Sequence, residues 1–338
     1  MKKFFLSMAV ALAGATGALA QSSMLATLTH DGQVSTFYGA TALRQAHEAA
    51  VSGDVVTLSS GTFVAADIKK ALTIRGAGMG IDSVAQTEPT VLTGNFSINI
   101  PDTVTRRLTL EGIYHNQKIT YTGTLKNAMF LKCRLKDVTT NSSNGTLKDA
   151  SFIHCRIAYQ LYLNNNSSAS CVNCAIQDPY SSSSATSNFE FVNCVIFVPD
   201  LSYVSSSSLK NCVLIADGSS NSYISSSTTA FNCVYSGSHS NPFQHITNST
   251  NVKVNDIKEL FKTYGGQSLD KLDSETFGLT DAAKSKYLGM DGSQVGIYGG
   301  NLPFDPVPSN PQITKCNVAA KSTADGKLSV DIRINSEK

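Results

Sequence analysis

The chain has 338 residues, with 27 Lys and Arg against 25 Asp and Glu, and only 15% of its residues are charged. A nucleic-acid or anionic-membrane partner calls for a basic surplus, and this balance argues against both. The surface must instead be rich in Ser, Thr, Asn and Gly, neutral hydroxyls and amides that suit neutral polar partners such as glycans.

Lys2 and Lys3 open the chain, an apolar run follows from Phe4 to Ala20, and Ala18-Leu19-Ala20 closes it before Gln21. A basic start, an apolar middle and a small-residue end predict a secretory signal peptide over residues 1–20. Its loss removes two lysines and leaves 25 basic and 25 acidic residues, a formal charge of zero. Residue 21 is not Cys, so no lipid-anchor cysteine follows, and no later stretch approaches the ~18 apolar residues of a membrane span. The expected location is periplasmic, cell-surface or secreted.

Thr41 to Ser52 reads as a short amphipathic helix with Ala42, Leu43, Ala46, Ala49 and Ala50 on its apolar side. Strand-like segments follow at Gly53–Phe63 and Leu72–Arg75. Gly76, Gly78 and Gly80 come after a strand, but G-x-G-x-G without a following helix is not a dinucleotide fingerprint.

One phrase then recurs. Phe130 to Leu135, Phe152 to Ile157, Cys171 to Ile176, Phe191 to Ile196, Leu209 to Leu214 and Ala230 to Tyr235 share a central cysteine, at intervals of 22, 19, 20, 18 and 21 residues. The cysteine and the residue two beyond it are apolar, the period of a half-buried strand. The residue three before the cysteine is apolar too, so a single strand would point it the wrong way. A bend at the residue just before the cysteine resolves this, and that residue is Asn in four copies. Asn tolerates the left-handed backbone such a bend requires. Lys132 and His154 occupy the place in the first two copies, where a looser bend is expected.

A unit this short cannot bury its own apolar face, so the units must stack as a solenoid. Serine runs such as Ser205 to Ser208 oppose helical repeats, which leaves strands. The fold class is therefore all-β, a right-handed parallel β-helix of about nine or ten coils between residues 55 and 250 at some twenty residues per coil. The phrase Asn-Cys-x-Ile, once per coil, resembles the pectate-lyase-like superfamily of right-handed parallel β-helices. The helix before the first strands is similar to the cap that covers the open end of such stacks. Gly289 to Gly300 resembles the closing segment of β-helix proteins exported by gut Bacteroidetes. The resemblance implies a β-helix with its cap over residues 21–300. It leaves lyase, hydrolase, esterase and adhesin functions open.

Beyond Cys233, Asp256 to Tyr264 reads as a short amphipathic helical segment. Pro303 to Pro311 reads as a stiff linker, and Leu328 to Ile334 alternates as one further strand. This tail, residues 301–338, is too small to be a domain and is expected to dock on the helix or a partner.

Three groups of residues carry candidate chemistry. The column cysteines, Cys155, Cys174, Cys194, Cys212 and Cys233, are expected as buried thiols, because a column cannot converge on a metal ion. No cofactor or metal is expected; calcium enters only under a lyase reading. Asp137, Asp178, Arg134, Arg156 and His154 form the one catalytic candidate set. The two aspartates lie four residues after their cysteines and two coils apart, with Tyr159 at the same place between them, roughly 10 Å from each other. That is just outside an inverting carboxylate pair. Tyr162, Tyr180, Tyr203 and Tyr223 recur at coil spacing, and Leu161 and Leu163 inward would turn Tyr162 outward. An exposed tyrosine row could stack sugars or serve as a ladder that only stabilises the stack. The leading expectation is a non-catalytic, exported, glycan-associated or adhesive β-helix. The alternative is a polysaccharide lyase or glycoside hydrolase acting in a groove along the strands.

Overall fold

In a computed structural model the residue before each phrase cysteine, namely Lys132, His154, Asn173, Asn193, Asn211 and Asn232, has φ between 50° and 57°. The structure describes residues 24–81, 87–140, 145–164, 166–181, 187–216, 223–247, 250–264, 276–309, 312–318, 321–322, 325–327 and 329–335. The predicted leader and the side chain of Cys316 lie outside them. The bend lets residues on both sides of it point into one core: Phe130, Phe152, Cys171, Phe191, Leu209 and Ala230 are buried, as are the six phrase cysteines. Lys132 and His154 bend as sharply as the asparagines, so the looser bend expected of them is not found.

Strands before the bend stack in parallel from Val55–Leu58 through Met129–Leu131 and Asn188–Val192 to Thr229–Phe231, forming the first sheet. Strands after it form the second sheet, from Gly61–Val64 through Arg156–Leu163 to Val252–Val254. A short third side pairs Thr124–Lys126 with Thr146–Lys148. The result is an all-β parallel β-helix of about nine turns.

In-register stacking sets like on like inside the core. Phe130 pairs with Phe152 in the first sheet, and their rings stack with centroids 4.6 Å apart. The cysteines fill the adjoining column as free thiols. Each has a second task that a methyl group could not perform. Cys155, Cys174 and Cys194 donate to the carbonyls of Phe130, Phe152 and Cys171 one coil earlier, at 3.3, 3.3 and 3.2 Å. The weak S–H donor thus serves strand carbonyls beside the bend in a core with few other donors. Burial pushes the Cys133, Cys174, Cys212 and Cys233 thiols well up, whereas at Cys155 and Cys194 burial is outweighed by hydrogen bonds from the neighbouring column cysteines, which draw them down.

At the N-terminal end the helix spans Ala42–Ala49, shorter than the expected Thr41–Ser52, and turns Ala42, Leu43 and Ala46 onto the open core. The Lys70 ammonium finishes it by donating to the carbonyls of His47, Glu48 and Ala50 at 2.7–2.9 Å. An unforeseen hairpin, Leu25–His30 with Gln33–Tyr38, adds two antiparallel strands to the first sheet. Its signal is Asp31-Gly32, a two-residue turn with both φ values positive, at 45° and 77°.

At the other end the expected helical segment Asp256–Tyr264 forms only a single tight turn, Ile257–Glu259. Residues 288–309 then run back along the bend as a strap, past Asn232 first and Gly112 last. The segment expected as a stiff linker lies on this path and is held against the solenoid as far as Ser309. The final strand, Val330–Asn335, pairs antiparallel with Gln312–Val318, a partner the alternation rule did not reveal.

Candidate functional site

The bend is where the chain spends its polar side chains. Asn232 donates to Leu288 O at 2.9 Å, Asn211 accepts from Met290 N at 2.9 Å, and Asn173 donates to Ile297 O and Gly299 O, each at 2.8 Å. His154 Nε2 meets Leu302 O at 3.0 Å, and Lys132 reaches Asp305 at 2.7 Å and Val307 O. One coil further, Glu111 holds Ser309 and also pairs with Arg75 at 3.2 Å. In that coil the corner is Gly112, φ 63°, and a Cβ there would come within 2.9 Å of Pro308.

The row one residue past the bend cysteines runs in register through Tyr114, Arg134, Arg156, Ala175, Val195, Val213 and Val234. Its apolar half lies under Leu260, Phe261, Phe277, Val295 and Ile297 in a second core outside the solenoid. Arg134 and Arg156 are neighbours, as their spacing predicts. They stack over Tyr114 and Phe304, at 4.2 and 5.4 Å from the ring centroids, and line a cavity of about 210 Å³ with Gly78, Met79 and Pro306 to Pro308.

The rest of the candidate set does not join them there. His154 is buried under the strap. Asp137 stands between Lys118 and Gln160 in the second sheet, so Gln160 rather than Tyr159 takes the intermediate place. A register shift after Leu135 accounts for the change. Burial pushes both aspartates up, Asp178 to about 6. Two coils still separate them, roughly 10 Å, too far for a shared displacement. Among the described residues no group of three or more His, Cys, Asp or Glu converges to hold a metal ion. No described helix is long and apolar enough to cross a membrane.

Tyr162 lies between inward-facing Leu161 and Leu163, as expected. Its ring stacks on Tyr180 at 5.5 Å, and Tyr180 meets Tyr203 edge-on at 5.0 Å. Tyr223 instead meets His239 and His245 edge-to-face at 4.4 and 5.2 Å. The Tyr162–Tyr180 pair spends a face of each ring and the Tyr180–Tyr203 contact spends a further face and an edge, which leaves hydroxyls and part of the ring surface for a ligand.

A larger concavity than the Arg134–Arg156 cavity lies elsewhere, on the outer face of the first sheet. It is an open groove of about 570 Å³ lined by Asp149, Ser151, Ser168, Ser170, Asn188, Glu190, Ser206 to Ser208, Ser227 and Thr229. Register makes it a set of rungs: Ser151, Ser170, Glu190, Ser208 and Thr229 stand side by side on successive coils. A second row begins with Asp149, which accepts from Ser168 Oγ at 2.8 Å, and ends with Ser206 beside Ser227 at 3.2 Å. The sequence carried a signal for it: a polar residue both three and one before the first buried residue of each of the last five phrases, Asp149 and Ser151, Ser168 and Ser170, Asn188 and Glu190, Ser206 and Ser208, Ser227 and Thr229. No known family model, curated protein or solved structure matches the chain.

Proposed function

We propose that this is an exported, non-catalytic, glycan-associated β-helix protein that seats a linear polysaccharide in the groove of its first sheet. The observation that carries the reading is the groove itself: hydroxyls, one amide and two carboxylates repeated once per coil along the solenoid axis. A linear polysaccharide offers equivalent hydroxyls at regular intervals, and rungs about 4.8 Å apart can meet them with the same donor and acceptor types again and again. The tyrosine hydroxyl edges at Tyr162, Tyr180 and Tyr203 offer a second polar strip beside the same coils. The resemblance to pectate-lyase-like β-helices is consistent with a glycan ligand and does not require turnover.

The non-catalytic part rests on where the charges fall. Arg134 and Arg156 pack in the cavity beneath the strap, while Asp137 and Asp178 lie along the second sheet away from it. The experiment is a screen of the exported chain against neutral and acidic polysaccharides that follows binding together with new unsaturated or reducing ends. Binding without turnover is the expected result. Turnover that vanishes in Asp178→Ala or Arg156→Ala would establish the lyase or hydrolase alternative instead.

A further inference from the structure

The two ends of the first sheet are finished differently. At its C-terminal end the last strand, Thr229–Phe231, is closed by side chains: Asn251 donates to Ala230 O at 2.9 Å, and Thr250 accepts from Asn232 N at 2.9 Å. At its N-terminal end the sheet stops, among the described residues, at Gln33–Tyr38. That strand, Gln-Val-Ser-Thr-Phe-Tyr, has no charge, no proline and no bulge, the devices by which edge strands usually discourage pairing. The cap helix covers the core, and among the described residues no further strand pairs with this edge.

Which backbone groups the edge presents follows from the hairpin. In a two-residue hairpin the residues flanking the turn form a hydrogen-bonded pair, here His30 with Gln33. The alternation then pairs Leu28 with Ser35 and Ala26 with Phe37, and aims N–H and C=O of Val34, Thr36 and Tyr38 away from the hairpin. Met24 O accepting from Gly39 N at 2.8 Å and Leu25 O accepting from Ser59 N at 2.9 Å fix the same phase at the far end. The side chains of Val34, Thr36 and Tyr38 share one face, and Val34 and Tyr38 are each 62% exposed. Phe37, on the opposite face, packs against the core.

The geometry points to a two-fold dimer in which Gln33–Tyr38 of two copies pair antiparallel about Thr36, joining two solenoids through one continuous first sheet. The occupant is a second copy because the strand is self-complementary. A dyad at Thr36 sets Val34 opposite Tyr38 of the other copy and Tyr38 opposite Val34, so the exposed apolar residues cover each other. The outward groups of residues 34, 36 and 38 then make six backbone hydrogen bonds. The contact area of a single strand pair is small, so association should be weak and concentration-dependent.

The test is sedimentation of the exported chain over a wide concentration range, with three variants. The wild type should shift from monomer to dimer. Thr36→Pro removes an outward N–H without touching a bond within the hairpin, and should raise the dissociation constant about ten-fold or more. Thr36→Lys keeps the N–H but opposes two ammonium groups at the dyad, and should do the same with the fold intact by circular dichroism. Thr36→Cys should give a disulfide-linked dimer on mild oxidation, since hydrogen-bonded antiparallel partners lie about 5.5 Å apart at Cα. Ser35→Cys, which is not opposite its own copy, should not. A wild type that stays monomeric throughout, a Thr36→Lys chain that associates as the wild type does, or equal cross-linking at residues 35 and 36 would overturn the proposal.

Discussion

The bend between the two sheets and the groove on the first sheet are both rows of polar side chains repeated once per coil, yet they do opposite things. At the bend every rung from Glu111 to Asn232 except Asn193 is tied by a hydrogen bond to the strap or its flanking residues. In the groove the hydroxyls bond only locally, to one another, to Asp149 or to an adjacent serine, and Asn188, Glu190, Ser227 and Thr229 are exposed. Repetition by itself therefore does not mark a binding site. A polar ladder whose capacity is consumed within the chain is architecture, and one whose capacity faces solvent is free for a partner.

The contrast is sharpest at Asn173, which is buried, left-handed and donates twice to the strap. Asn173→Ala removes the side-chain donor to Gly299 O and one of the two donors to Ile297 O, which keeps Phe304 N, and puts an alanine at φ near 50°, which should destabilise the fold by about 3 kcal/mol in urea unfolding. Asn173→Gly keeps the bend but not the bonds, so its smaller loss separates backbone strain from strap attachment. If both variants unfold with the wild type, the strap is not held by the ladder.

Much of this architecture was legible beforehand. The six-fold cysteine phrase carried the solenoid, and the apolar residue three before each cysteine carried the bend, because no single strand can turn both inward. The strap was not legible as a cover. Its trace was present, since Val195–Val198 and Val213–Ala216 are apolar at every position, and a strand buried on both faces needs something outside it. The catalytic set was read from spacing, and spacing fixes the coil on which a residue stands but not what lies over it. His154 and Arg156 are two residues apart, and one sits beneath the strap while the other lines the cavity at its edge. The groove escaped because its serines repeat with less discipline than the cysteines.

Asp178 stands outside both rows and tests a different cost. Burial raises its pKa to about 6, above the ordinary value of 3.8, so the folded state disfavours the carboxylate. A carboxyl raised in the folded state carries no penalty below the unfolded pKa. The penalty grows as pH rises between the two values, so stability should fall from pH 4 to pH 6 and then level off. Asp178→Asn should remove that slope and gain about 1 kcal/mol at pH 7, after allowance for its partial exposure. A wild type whose stability rises through this interval just as the variant's does would show that Asp178 is not desolvated.

The smallest effect on stability should come from the groove, where it is paired with the largest effect on binding. Glu190 projects between Ser170 and Ser208 and makes a 3.4 Å ion pair with Lys210, both side chains being exposed. Such a pair is worth about 0–1 kcal/mol, and Asn188 in the neighbouring row is exposed. Glu190→Gln and Asn188→Ala should therefore unfold within about 0.5 kcal/mol of the wild type. A polysaccharide seated across these rungs would lose a charge-assisted acceptor at Glu190 and a hydrogen bond at Asn188, so its affinity should drop roughly five-fold per substitution. The same substitutions made at the bend would invert the pattern, with stability lost and glycan affinity unmoved in the fraction that remains folded. Groove variants that keep full affinity while Tyr180→Ala or Tyr203→Ala lose it would move the binding surface from the hydroxyl rungs to the tyrosine row.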